Sequence, residues 1–198
     1  AKLVYGLSRD VTPEVLRRSI ENGTVETYLQ TIPVAKNDVV FIEAGTIHAI
    51  GAGALIAEIQ ESSNLTYRLY DYDRVDKDGK KRPLHIEKAL AAANLRSSAE
   101  PAQPMRVLRY QPGCARELLC RCRYFEVFRM LVNTGRRQKV TFRADPVSFR
   151  VLLCVDGCGT VSFGSRIYNI YKGDCLFVPA DSVEMCLHGQ LQLLDIRG

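Results

Sequence analysis

Histidine is scarce in this chain: three among 198 residues, His48, His85 and His188. Chemistry that depends on imidazole therefore has few residues to draw on. Long apolar runs are missing too, and none approaches the roughly 18 to 20 residues of a membrane-spanning helix. The opening AKLVYGLSRD has one lysine and no extended apolar core, so it does not read as a signal peptide. On these grounds the chain reads as cytoplasmic, with no membrane partner. No C-x2-C pair occurs among the seven cysteines, which lie at 114, 120, 122, 154, 158, 175 and 186. An odd number without metal-type spacing predicts reduced, packed thiols rather than a disulfide framework or a zinc knuckle. The net charge is +5 and spread along the chain. That suits a small anionic substrate such as a sugar phosphate. It is too diffuse for nucleic acid, and the densest basic run, DGKKRP (78–83), reads as a solvated hairpin.

What is present points to a mainly β protein with a few short helices. Residues 2–7 read as a strand. VTPEVLRRSIENG (11–23) has Thr12 as an N-cap, Pro13 in the first turn and Gly23 at the close, the marks of a short helix. The segment 28–42 reads as strand, turn, strand, and ALIAEIQ and LTYRLYDY as further strands. RVDKDGKKR (74–82) centres a hairpin on Asp78-Gly79. Its aspartates lack the spacing and terminal glutamate of a calcium loop. PLHIEKALAAANL (83–95) reads as a helix. SSAEPAQPMRV (97–107) has two prolines and no period, the composition of a linker. From 116 onward short strands alternate with glycine turns, the pattern of a barrel or sandwich.

An internal repeat ties the two halves together. KNDVVFIEAGTIH (36–48) aligns with KGDCLFVPADSVE (172–184) at a constant offset of 136, with Lys, Asp, Phe and Ala identical. The repeat is also an internal control. His48 falls opposite Glu184 and Glu58 opposite Leu194, and the second copy ends before any counterpart of Arg68. A histidine required by the fold would be expected in both copies, so one working barrel and one degenerate barrel are predicted.

These residues are recognisable. The order Gly/Asn-Asp, apolar strand, Pro/Glu-Ala-Gly-Thr-x-His is similar to the second conserved motif of cupins. The run EAGTIHAIGAGALIAEIQESSNLTYRLYDYDRVDKDGKKRPLHIEKAL (43–90) closely resembles the class I mannose-6-phosphate isomerases of Firmicutes. Glu43 and Asn37 depart from that pattern, which has Pro and Gly there. The resemblance implies a tandem cupin (two double-stranded β-helix, or jelly-roll, barrels) in which the first barrel is incomplete. It divides the chain into a metal-binding, catalytic unit at 1–96, a linker at 97–115, and a degenerate second cupin at 116–198 without metal ligands. It implies interconversion of mannose 6-phosphate and fructose 6-phosphate through an enediol, with a Zn2+ ion. By position, His48 matches a metal ligand, Arg68 an active-site arginine and Glu58 an acid/base participant. The family's Gln-x-His ligand pair occurs nowhere in the 198 residues, and its other ligands and catalytic lysine are expected upstream of Ala1. One histidine cannot hold a catalytic zinc, which takes three or four protein ligands.

The chemistry explains why such residues would matter. Moving a proton between C2 and C1 needs a base, and a developing enediolate needs fixed positive charge. An arginine supplies permanent charge and rigid donors. A partly buried carboxylate can carry the proton. Strand alternation would place Glu58 with Gln60 and Ser62 on one face, and Arg68 with Thr66 and Tyr70 on one face. Bland readings stand beside these: Arg68 as a surface arginine paired to Asp71 or Asp73, Glu58 as a solvated carboxylate, His85 as a structural residue at a helix start. A non-catalytic sugar-binding or regulatory cupin is the alternative at the level of the whole chain. Bare strand edges also predict self-association.

Overall fold

The structure is a computed structural model describing residues 1–101, 107–136 and 138–198. It divides into two compact units, Ala1–Gln103 and Pro104–Gly198.

In the first unit, β1 (Lys2–Leu7) is the centre of a three-stranded antiparallel sheet. It pairs with β2 (Leu29–Pro33) on one side and β3 (His48–Ile50) on the other, with Tyr5 opposite His48. The first helix, α1 (Pro13–Glu21), begins where its sequence says it should: the Thr12 hydroxyl accepts the Val15 N–H, and Pro13 occupies the first turn. Gly23 then turns the chain at a φ of 67°. Leu16 and Ile20, one helical turn apart, are buried with Leu7, Val25, Leu69, Ala89 and Leu90. The last two lie on α2 (Ile86–Ala92), tied to α1 by the Arg17–Glu87 ion pair at 2.7 Å. The hairpin at 74–82 forms, with Val75 bridged to Lys81.

Several expected strands do not form. Residues 39–42 and 54–70 carry strand-like sequence but are not strands. An extended segment becomes a strand only when a neighbouring backbone accepts and donates its hydrogen bonds. Among the described residues these segments take part in no strand ladder. Leu55 and Leu65 are consequently 89% and 73% exposed.

The second unit is an eight-stranded antiparallel assembly, β4 (Leu108–Gln111), β5 (Cys114–Arg121), β6 (Glu126–Asn133), β7 (Val140–Phe142), β8 (Arg150–Phe163), β9 (Arg166–Tyr171), β10 (Cys175–Val178) and β11 (Met185–Arg197). The strands β4 and β5 run through the stretch expected as linker at 97–115. Ladder pairing from Leu108 to Glu117 extends this unit toward the N-terminus. Residues 102–106 of that stretch lie outside the described residues.

Some segments expected as short strands divided by glycine turns are instead two long strands. The 14-residue β8 and 13-residue β11 run past their internal glycines. Gly159 lies opposite Gly189, where a Cβ on either would fall within 2.6 Å of the partner backbone. Glycine breaks most strands, but here it lets two strands approach and bend without losing their ladder. Each long strand then pairs with three others: β11 with β6, β7 and β8, and β8 with β9, β10 and β11. This is the jelly-roll arrangement. Met130, Val132, Leu152, Cys154, Leu191 and Leu193 fill its interior.

The repeat holds at the level of the backbone. Asn37 and Gly173 both have positive φ, 72° and 98°, as do Gly45 and Asp181, 87° and 55°. The carboxylate of Asp38 accepts the Ala35 N–H at 2.8 Å, and that of Asp174 accepts the Tyr171 N–H at 2.8 Å. Each of these pairs keeps the offset of 136 read from the sequence.

Candidate functional site

His48 opens β3 and is exposed. Its Nδ1 lies 2.9 Å from the Thr46 carbonyl oxygen. A carbonyl only accepts, so Nδ1 is the donor of this contact and Nε2 is left out of it. Fixing the tautomer through a backbone carbonyl is how ligand histidines are usually prepared. The tight turn at Gly45 and the β1–β3 pairing set this orientation; at the matching position in the second unit, Glu184 precedes β11.

Arg68 and His85 hold each other through the backbone. The Arg68 N–H donates to His85 Nδ1 at 3.1 Å, and the His85 N–H donates to the Arg68 carbonyl at 2.7 Å. The Arg68 guanidinium donates through Nη1 to the Pro83 carbonyl at 3.1 Å. His85 is thus a structural residue, at the N-cap of α2 and fastened to the arginine segment. Arg68 is half-buried and is not paired to Asp71 or Asp73. Glu58 is exposed and off any strand, so the expected alternation with Gln60 and Ser62 has no sheet to impose it. No hydrogen bond or ion pair among the described residues joins any two of His48, Glu58 and Arg68.

The hairpin cations take the aspartates instead. Asp71, 6% exposed, binds both Arg74 and Arg82 through its carboxylate, and Lys81 reaches Asp73 at 2.5 Å. Hydrogen bonds from Arg82 and then Arg74 hold the Asp71 carboxyl well below the usual carboxylate range. Tyr72 and Asp73 beside it are both left-handed, at φ of 54° and 53°. Each such residue costs roughly 1–2 kcal/mol, and the network around Asp71 restrains the turn that contains them. A cleft of about 150 Å³ opens here, lined among others by Ile20, Tyr70, Asp71, Arg74, Lys81 and Arg82. Sequence reasoning treated this stretch as a plain hairpin. The signal that could have marked it was the alternation of acids and bases through DYDRVDKDGKKR.

Zinc needs three or four convergent protein donors. Among the described residues no group of three or more His, Cys, Asp or Glu could hold a metal ion, and His48 stands alone. These residues do not by themselves fit a zinc site. All seven cysteines are free, with Cys114 and Cys154 buried. Burial raises the thiol pKa of both, which suits packed thiols rather than ligands.

Comparison with known proteins agrees with the fold. Residues 116–197 match the family described as mannose-6-phosphate isomerase, cupin domain. The chain is 31% identical over 197 residues to the mannose-6-phosphate isomerase ManA of Bacillus subtilis (strain 168), covering 98% of this chain and 59% of that one. It is 30% identical over 194 residues to the mannose-6-phosphate isomerase of Streptococcus mutans serotype c, covering 98% of this chain and 58% of that protein. The crystal structure of the mannose 6-phosphate isomerase from Bacillus subtilis superposes with a TM-score of 0.87 at 27% identity, over 99% of this chain and 60% of that one. The chain therefore spans about three-fifths of the length of the relatives it matches. The second unit is a jelly roll that matches this cupin-domain family, and the chain is similar along nearly its whole length to mannose-6-phosphate isomerases.

Proposed function

We propose that the chain carries part of the machinery of a cytoplasmic mannose-6-phosphate isomerase, which interconverts mannose 6-phosphate and fructose 6-phosphate. The observation that carries this reading is the similarity to two such isomerases over 98% of the chain. The reaction moves a proton between C2 and C1, through an enediol. In this reading Arg68, anchored by the Pro83 carbonyl, turns its remaining donors to the enediolate oxygen or the substrate phosphate. Glu58, as a carboxylate, accepts the carbon-bound proton and returns it to the neighbouring carbon. His48 offers Nε2 as a metal ligand because Nδ1–H is committed to Thr46. The other zinc ligands are not among the described residues. Free thiols support a reducing compartment. The domain roles follow: a catalytic role for residues 1–96, a structural or accessory one for 116–198. Exposed apolar side chains such as Leu55 and Leu65 support self-association, which sedimentation at increasing protein concentration would reveal.

The test is isomerisation of mannose 6-phosphate by the purified protein with zinc added. Saturable turnover that falls about 10²-fold or more in Arg68→Ala and His48→Ala supports the site. Turnover that survives either change sinks its assignment. A second reading, a non-catalytic sugar-phosphate-binding cupin, is favoured by the lack of a metal-holding group among the described residues. Binding of mannose 6-phosphate without turnover would select it.

A further inference from the structure

At one end of the second unit, three strands place charge, and a fourth an aromatic ring, directly beyond the apolar core. Side chains two residues apart on a strand share a face. Cys114 on β5, Met130 on β6, Leu152 on β8 and Leu193 on β11 are interior. Their neighbours on the same face, in the same order, are Arg116, Phe128, Arg150 and Asp195, and Arg197 follows Asp195 by two. Asp195 is fully buried, and a single oxygen, Oδ2, accepts from all three arginines. The distances are 2.8 Å from Arg116, 3.0 Å from Arg150 and 3.4 Å from Arg197.

One carboxylate does not neutralise three guanidiniums. The cluster holds a surplus of two positive charges where desolvation is expensive. Burial pulls the Arg150 pKa down to about 10 against the attraction of Asp195, and the positive charges of Arg197 and Arg116 add to the fall. Of the nearby carboxylates, Glu126 pairs with Arg121 at 2.6 Å, and Asp145, which accepts the Val147 N–H at 2.8 Å, adds a lesser attraction on Arg150. Aromatic faces offset part of the surplus, with Arg116 and Arg197 both over Phe128, at 4.7 and 5.1 Å, and Arg150 over Phe142 at 5.2 Å. The donors are not used up. Among the described residues, the buried Nε–H groups of Arg116, Arg150 and Arg197 have no hydrogen-bond partner. Arg150 and Asp195 lie at the bottom, while the side chains of Arg116 and Arg197, each 27% exposed, reach solvent.

We propose that Arg116, Arg150 and Arg197, arranged around Asp195, form a binding site for a tetrahedral oxyanion of the phosphate class in the second unit. Planar guanidiniums with free Nε–H donors match such a group, although Arg150 already gives Nη1 to the Arg143 carbonyl at 2.9 Å. A phosphoryl group carries about −1.5 to −2 at neutral pH, which balances the surplus. The site contains none of His48, Glu58 or Arg68 and does not rest on the isomerase reading, because binding is read without turnover.

The experiment is titration calorimetry and thermal unfolding of the whole chain with inorganic phosphate, at ionic strength held constant with chloride. Saturable binding with a raised unfolding midpoint is expected. Arg116→Gln and Arg197→Gln, whose side chains are each 27% exposed, should each weaken phosphate at least tenfold. Asp195→Asn removes the competing carboxylate and should tighten phosphate, giving a larger midpoint rise than in the native chain although the variant starts less stable. A network that serves only the fold would lose stability in that variant and gain nothing from phosphate. Competition by mannose 6-phosphate but not by mannose supports a phosphoryl site, and competition by mannose overturns it. No phosphate binding beyond chloride, or binding unchanged in both glutamine variants, also overturns it.

Discussion

Leu193→Ala tests whether the second unit is held together by the interior of its jelly roll. Leu193 is fully buried on β11, with Met130 of β6 and Cys154 of β8 in register on either side. The change removes three carbons. At about 0.8 kcal/mol for each buried methylene, the lost transfer energy is about 2.4 kcal/mol. Strands on both sides restrict collapse, so a cavity term adds to this, and the expected loss is about 3–4 kcal/mol. Leu131 is the control. It lies on the opposite face of β6, across from Gln192, and is 43% exposed. Leu131→Ala should cost less than half as much, since solvent already reaches its side chain. The chain has no tryptophan, so urea unfolding is followed by far-ultraviolet circular dichroism. The slope should stay constant while the midpoint moves. A loss below about 1 kcal/mol for Leu193→Ala, or equal losses for the two variants, would refute the placement of this core.

Glycine at the crossing of the long strands should be irreplaceable. Gly157 has a φ of 82°, and a Cβ there would lie 2.1 Å from the Gln190 carbonyl oxygen. Gly157→Ala should therefore cost about 2 kcal/mol or more through strain and overpacking together. Gly164→Ala, at a φ of 56° with open space around it, should cost only about 1 kcal/mol, and equal urea midpoints would count against the close approach. The first unit should be sensitive to acid. Asp71 has a depressed carboxyl, as do Asp10, through the Ser97 N–H, and Glu14, at the start of α1. A depressed folded value stabilises the fold above the unfolded pKa of about 4, and that stability drains away as pH falls through the range below it. The thermal midpoint should drop below about pH 4, with a shallower drop in Asp71→Asn; parallel curves for the two proteins would contradict the assignment.

Much of this was readable from residues in order. Thr12-Pro13 and Gly23 mark the first helix because capping is local chemistry. The repeat announces paired turns because Asn37, Gly45, Gly173 and Asp181 are types that tolerate a left-handed backbone. The motif around His48 carries the resemblance to the isomerases. What local chemistry cannot supply is a partner. Whether 54–70 becomes a strand depends on a neighbouring backbone, and the glycines of β8 and β11 end a strand or let it cross according to what lies opposite. The Arg68 segment is fastened by His85, seventeen residues away, and that bond forms only once α2 is docked. The arginines around Asp195 come from three strands and look like scattered surface charge in the sequence. Residue type settles turns and caps, because these depend on a few adjacent residues. Tertiary structure alone decides which strands pair and which charges meet, because those energies exist only between segments that folding brings together.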